Sequence, residues 1–375
     1  MRILLVSNYQ PPHMGGIEFA AEALKDCWRR MGHEVTWLTS DEPRGAHEAE
    51  EGNVRVKTWN GLERRFQINS PLPSPFEWRR IARLVDEHDV VSAHSLAPGV
   101  AAAALIAAAR QRKPLVVTQH VGVIKMSGIM NALQEKFITG LARYAIRHGA
   151  FITFVGEAVR QWFVEKAGIP QERIVMTPAG IDRRNYFFVP DDERAALRKK
   201  WVLQDDAPNI LFVGRFYEKK GLPLIGDLAR RLPQVRFTLV GGGPLDPSKW
   251  NLPNVRVISF VKTEELRELY GAHDLFVMPS YGEGWPAVVP QAMACGLACL
   301  ISEECFTGFN RDADRFVICR RTADDIAPLL EQASAGSLEI IRRRNELSDY
   351  ATQTWDWQRT AEIYAGIFAR LIAKN

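Results

Sequence analysis

The sequence predicts an α/β chain made of two doubly wound parallel sheets. Three observations carry that prediction. Short apolar runs alternate with helical patterns along the whole chain. The runs are near-continuous in hydrophobicity, as strands buried on both faces of a parallel sheet require. The series also restarts part-way along, and 375 residues are long for a single core.

The first series of strand-like runs is Ile3–Val6, Glu34–Leu38, Val54–Thr58, Val90–Ala93, Leu115–Thr118, Phe151–Val155 and Ile174–Met176. The second is Ile210–Val213, Arg236–Val240, Val255–Ile258, Leu275–Met278, Ala298–Ile301 and Phe316–Ile318. Between them, Thr177–Asp182 closes the first series, and Pro190-Asp191-Asp192-Glu193 reads as a linker entering a helix. Each series reads as a Rossmann-like βαβ array, giving domains at 1–180 and 181–357. Ligand is expected in a cleft at the carboxyl ends of both sheets. The segment Trp355–Ile372 is amphipathic. Glu48-Ala49-Glu50-Glu51 and Pro71-Leu72-Pro73-Ser74-Pro75 read as surface loops.

Composition, with 46% hydrophobic and 25% charged residues, is that of an ordinary globular protein. The five cysteines mostly sit in apolar runs, which points to buried free thiols in a reducing compartment. Cys295, Cys299 and Cys305 match no standard zinc spacing, and no metal site is expected. The apolar start, Met1–Val6, is too short for a signal-peptide core, and Val100–Ala109 is too short to span a bilayer. These features predict a cytoplasmic protein whose membrane contact is peripheral, at the inner face. Residues 1–185 carry 24 Lys and Arg against 19 Asp and Glu, with seven basic residues and one acid between Arg110 and Arg147. That stretch reads either as a solvated helix face or as a patch for anionic lipid or an acidic acceptor. The excess is small and lacks interleaved aromatics, so nucleic acid is not an expected partner.

Four constellations follow strands. Pro11-Pro12-His13-Met14-Gly15-Gly16 follows the first, and its paired glycines let backbone amides approach a phosphate. Val116-Val117-Thr118-Gln119-His120 brings a histidine to the carboxyl end of a first-domain strand, with His94 as a weaker candidate for the same cleft. Gly214-Arg215-Phe216-Tyr217-Glu218-Lys219-Lys220-Gly221 offers a forked and a point cation for a diphosphate, and Leu239–Pro244 adds a glycine-rich turn containing Gly242. The most informative stretch is Pro279-Ser280-Tyr281-Gly282-Glu283-Gly284-Trp285-Pro286. It runs into Gln291 and is read as a strand, a turn and a helix start with Pro286 in the first turn. Free backbone N–H groups and a positive dipole end are expected there.

Glu283-x7-Gln291 resembles the E-x7-E signature of retaining GT-B glycosyltransferases of family 4, with Gln in place of the second Glu. The Gly-Gly loop, His120, Gly180-Ile181-Asp182, Arg215 with Lys220, Gly241–Pro244 and Trp355-Asp356-Trp357 resemble the family in order and spacing, over nearly the whole chain. The resemblance implies a GT-B fold whose C-terminal helix, 358–375, packs back on the first domain. It implies transfer of a hexose, with retention and without metal or other cofactor, from a nucleoside diphosphate sugar to a glycan, lipid-linked or small-molecule acceptor. His120, Glu283, Arg215 and Lys220 would be catalytic. Gly15, Gly16, Gly242, Gly284, Trp285, Pro286 and Gln291 would bind the donor. Val121–Asn131, apolar with two glycines and a lysine, reads either as an acceptor-side loop dipping into the membrane surface or as an internal helix serving a soluble acceptor. Two other readings stay open at this point: a GT-B-shaped nucleotide-sugar epimerase or hydrolase, and a non-catalytic nucleotide-sugar binding protein.

Overall fold

The computed structural model describes residues 1–11, 13, 15–42, 52–61, 70–122, 128–281 and 283–374. The acidic loop 48–51, Pro12 and Met14 of the Gly-Gly loop, Gly282, and 123–127 of the expected acceptor loop lie outside them. The chain divides into two compact units, Met1–Gly180 with Trp357–Asn375, and Ile181–Asp356.

In the first unit seven parallel strands stand in the order β3-β2-β1-β6-β7-β8-β9. They are β1 (Arg2–Ser7), β2 (Glu34–Ser40), β3 (Asn53–Val56), β6 (Val90–His94), β7 (Leu115–Gln119), β8 (Phe151–Phe154) and β9 (Ile174–Met176). Side chains alternate across a strand, so β1 feeds two cores. Leu4 and Val6 join one with α2 (Glu77–Glu87), α3 (Val100–Arg110), α4 (Ile129–Arg147) and α5 (Glu157–Ala167). Ile3 and Leu5 join the other, where α1 (Gly16–Arg30) supplies Leu24 and Trp28. The apolar run at Val100 is thus a core helix. Among the described residues no helix is long and apolar enough to cross a membrane. One expectation fails locally. Leu72–Pro73, read as loop, forms strand β5, antiparallel to β4 (Thr58–Trp59). Thr58 leaves the β3 line because its N–H and hydroxyl both donate to the Asp41 carboxylate at 2.9 Å.

The second unit holds six parallel strands in the order β12-β11-β10-β13-β14-β15. These are β10 (Asn209–Val213), β11 (Arg236–Val240), β12 (Val255–Ile258), β13 (Leu275–Met278), β14 (Cys299–Ser302) and β15 (Val317–Cys319). Its helices are α6 (Asp191–Lys200), α7 (Leu222–Arg231), α8 (Thr263–Ala272), α9 (Val288–Ala294), α10 (Glu303–Phe306), α11 (Ala323–Ser334) and α12 (Arg344–Thr354). The linker signal at Pro190 opens α6, which has acids in its first turn and Arg198, Lys199 and Lys200 in its last, as the helix dipole favours. All five cysteines are buried. Burial pushes the Cys295, Cys305 and Cys319 thiols up to about 12, so they pack as small apolar groups.

The chain then returns to the first unit as α13 (Trp357–Ile372), packed on α1 and β7. Trp357 belongs to that unit rather than to the second. Gly180 makes this possible: a Cβ there would stand 2.4 Å from the Trp357 nitrogen. The Tyr364 hydroxyl reaches the hydroxyls of Thr118, Thr153 and Thr177 at 2.7, 3.1 and 3.2 Å. Trp28 Nε1 donates to the Ala361 carbonyl at 3.2 Å.

Candidate active site

Each sheet has one point where successive crossovers leave in opposite directions. It lies between β1 and β6 in the first unit and between β10 and β13 in the second. Loops leaving the carboxyl ends of such a strand pair diverge and open a crevice.

In the second unit the loops after β10 and β13 hold two predicted residues together. Lys220 Nζ donates to Glu283 Oε2 at 2.9 Å, and both side chains are largely buried, 16% and 9% exposed. Glu283 Oε1 is buried with no partner among the described residues. Gly221 lets the loops meet. Its φ is +80°, and a Cβ would stand 2.4 Å from the Pro279 carbonyl oxygen, a contact closed to any residue with a side chain. The Tyr281 N–H donates to the Lys219 carbonyl at 2.9 Å and ties the same loops from the other side.

Arg215 is not gathered into this pair. It is exposed, its guanidinium 5.1 Å from the Tyr217 ring centre, and it makes no side-chain hydrogen bond or ion pair among the described residues. Gly241–Gly243 pack against the Arg215 loop. The Gly214 N–H donates to the Val240 carbonyl and the Phe216 N–H to the Gly242 carbonyl, while a Cβ on Gly242 would meet open space. The turn therefore supports the β10 loop.

The helix entrance differs from expectation. α9 begins at Val288, so Pro286 precedes its cap, Ala287. The Ala287 and Val289 N–H groups already donate to the carbonyls of Trp285 and Pro286, so they are not the free donors the turn pattern suggested. Trp285 packs its ring edge-on to Phe309 and Trp355, with centroids 4.8 and 5.8 Å away. The half-buried Gly284 precedes it. Gln291 is half-buried mid-helix, with the Tyr270 hydroxyl 3.5 Å from its Oε1. Arg321, which sequence reading passed over, donates from Nε to the Pro279 carbonyl at 3.1 Å and stacks over Tyr281 at 4.3 Å. Its one sequence signal was position, two residues beyond β15.

In the first unit His120 follows β7 and His94 ends β6. His94 Nδ1 lies 3.0 Å from His120 Nε2. Burial lowers the His120 pKa to about 4 and holds that of His94 well below its usual value, with repulsion from His120 adding to it, so both rings are neutral near pH 7. Gln119 braces the same loops. It accepts from the Leu96 N–H at 2.9 Å and donates to the Val121 carbonyl at 2.6 Å. The Gly15–Gly16 turn caps α1, but Glu18 folds back so that a Cβ on Gly15 would stand 2.2 Å from its Oε2. A carboxylate therefore already faces that helix start, which disfavours a phosphate there. His13 stacks on Tyr9 with centroids 4.1 Å apart. No group of three His, Cys, Asp or Glu with metal-binding geometry occurs among the described residues.

The family described as Glycosyltransferase Family 4 matches residues 14–185, and Glycosyl transferases group 1 matches residues 207–334. The chain is a family 4-like glycosyltransferase. It is 28% identical over 320 residues to a GDP-mannose-dependent alpha-(1-6)-phosphatidylinositol monomannoside mannosyltransferase of Mycolicibacterium smegmatis, covering 79% of this chain and 78% of that one. It is 31% identical over 151 residues to an alpha-galactosylglucosyldiacylglycerol synthase of Streptococcus pneumoniae, covering 36% and 40%. Among solved structures, Anabaena HepE in complex with UDP superposes with a TM-score of 0.77 at 16% identity, over 99% of this chain and 100% of that one. The glycosyltransferase has the GT-B fold and is a hexosyltransferase that uses a nucleotide sugar. Its β10 and β13 loops, with Lys220 and Glu283, lie inside the second matched segment, and His94 and His120 lie inside the first.

Proposed function

We propose that the enzyme transfers its hexose with retention and without a bound metal, from a nucleoside diphosphate sugar to a hydroxyl of a lipid-linked acceptor at the inner membrane surface. The observation that carries the donor half is the Lys220–Glu283 pair at the switch point, with one carboxylate oxygen buried and unpartnered among the described residues. As the glycosidic bond breaks, negative charge grows on the departing diphosphate, and a fixed cation acts where the transition state needs it. Glu283 holds the Lys220 ammonium in one place, and its spare oxygen can accept from a sugar hydroxyl. Arg215 is available to fork diphosphate oxygens. Within the second unit, Gly242, Gly284, Trp285, Pro286 and Gln291 complete the proposed donor set. Trp285 and the glycines contribute through the shape of the loops, and Gln291 through its amide.

The acceptor half rests on α4. Its first turns leave Ile129, Met130, Leu133 and Phe137 exposed, by 78%, 43%, 56% and 42%. Lys136, Arg143 and Arg147 follow on exposed positions. An apolar stripe continued by cations is the pattern of a helix lying in an anionic interface. The names of the Mycolicibacterium and Streptococcus relatives point to lipid acceptors.

A nucleotide-sugar panel tests the reading, with melting temperature and product followed with and without chelator. Stabilisation by one diphosphate sugar, and transfer to a lipid fraction unaffected by chelator with the donor's anomeric configuration kept in the product, supports it. Release of free sugar or an epimer without acceptor would make the enzyme a hydrolase or epimerase. Donor binding without turnover would make it a binding protein.

A further inference from the structure

Ser92, His94 and His120 form a buried line across two neighbouring strands of the first unit. Ser92 and His94 are fully enclosed in β6, and Ser92 Oγ stands 3.4 Å from His94 Nε2. On the other side of the ring, His94 Nδ1 stands 3.0 Å from His120 Nε2. Tyr364 stacks on the His94 ring with an interplanar angle of 20°, and its own hydroxyl is fixed by three threonines. The His94 ring thus sits fully enclosed between its two contacts.

Two neutral imidazoles that share one contact have one proton for it, so one nitrogen donates and the other accepts. The serine decides which. The only hydrogen-bond partner of its hydroxyl among the described residues is His94 Nε2. A buried O–H left without an acceptor costs more than a spare lone pair on the same oxygen, so the proton points at that nitrogen. His94 Nε2 then accepts, its proton sits on Nδ1, and Nδ1–H donates to His120 Nε2. His120 must carry its own proton on Nδ1, which has no partner among the described residues.

We infer that Ser92 and His94 are positioning residues that fix His120 as the Nδ1–H tautomer, so that His120 meets its ligand as a hydrogen-bond donor to a sugar oxygen and not as a base. The opposite tautomer would present a lone pair there, which can accept from a sugar O–H but cannot donate to a sugar oxygen. The relay is a property of the free protein. Its effect on turnover rests on the expectation, carried by the family resemblance, that His120 is catalytic and meets the sugar.

The test uses the full chain labelled with 15N-histidine, read by long-range 1H–15N correlation without ligand and assigned with His120→Gln. The expected spectrum shows a protonated Nδ1 and a pyridine-like Nε2 on His120. A protonated Nε2 on His120 would overturn the relay. Ser92→Ala releases the constraint on His94, and His120 should shift toward Nε2–H while kcat with nucleotide sugar falls about tenfold and the donor KM stays within about twofold. Ser92→Thr keeps the hydroxyl and His94→Gln keeps an N–H donor, and both should retain the Nδ1–H signature and most of the turnover. A tautomer that follows this series while turnover does not move would leave the relay standing and remove His120 from the sugar. A tautomer unchanged in Ser92→Ala would overturn the role given to the serine.

Discussion

Lys220 Nζ and Glu283 Oε2 stand 2.9 Å apart although their loops leave different strands, β10 and β13. The ion pair is largely buried, so removing one partner leaves a charge that water reaches poorly, and breaking such a pair costs roughly 3 kcal/mol. Lys220→Ala should therefore lose both stability and at least about 100-fold in turnover, the scale of one strong transition-state contact. Lys220→Met combined with Glu283→Gln should recover most of the stability and none of the activity. Initial rates and urea melts of the single and double variants check this, and near-normal turnover in Lys220→Ala would remove the diphosphate assignment.

Gln291 stands where the family signature has a carboxylate, with the Tyr270 hydroxyl 3.5 Å from its amide oxygen. Gln291→Glu should tighten nucleoside diphosphate binding about fivefold, because a charged acceptor adds roughly 1 kcal/mol to a hydrogen bond. Calorimetric titration reads the change. Weaker binding would mean that this side chain does not face the nucleotide.

Trp285 should behave as a core residue. Trp285→Ala opens a gap beside Phe309 and Trp355 and is expected to cost about 3 kcal/mol, lowering the melting temperature whatever the donor. Trp285→Phe should keep most of the stability. Unchanged melting in the alanine variant would show that packing on Phe309 and Trp355 contributes little to stability.

Stability should fall as pH drops from about 6.5 toward 4. Burial lowers His120 and His273 to about 4, while the unfolded chain takes up protons near the ordinary value of 6.5. Across that window the unfolded state binds more protons, so the stabilising effect of keeping these rings neutral is complete above pH 6.5 and is lost below it. The loss is at most about 3 kcal/mol per histidine. Urea melts at pH 7, 6 and 5 should show the decline, and His273→Gln should flatten it.

The exposed stripe on α4 gives the membrane prediction. Replacing Ile129, Leu133 and Phe137 together with serine should abolish co-sedimentation with vesicles rich in phosphatidylglycerol and leave the melting temperature within about two degrees, since these side chains are solvent-facing. Lys136→Glu should weaken binding in a salt-dependent way. Equal binding to neutral and anionic vesicles would exclude the electrostatic part.

The strand runs were legible because a parallel strand buried on both faces is apolar throughout, and Leu275–Met278 and Arg236–Val240 appear with the bounds their sequence suggests. The loops after them were legible for the same reason, since a Gly-rich turn or a cation beyond such a run stands at a sheet end. What could not be read was which neighbours each strand would acquire. His94 meets His120 only because β6 and β7 pair, and Lys220 meets Glu283 only because β10 lies beside β13. Arg321 reaches Pro279 across 42 residues of sequence. Trp285 was legible as part of its motif, but its packing on Phe309 and Trp355 was not, because those partners come from distant parts of the sequence.

The helix α13 gives the chain an unusual order of completion. Made from its N-terminus, the polypeptide delivers the whole of the second unit before the helix that finishes the first. Until residues 357–372 arrive, Trp28 has no roof and the hydroxyls of Thr118, Thr153 and Thr177 have no tyrosine to share. The strands and α1 of the first unit must therefore wait for α13. A stop codon placed within residues 357–372 would damage the first unit, while the second, made before α13, stands complete.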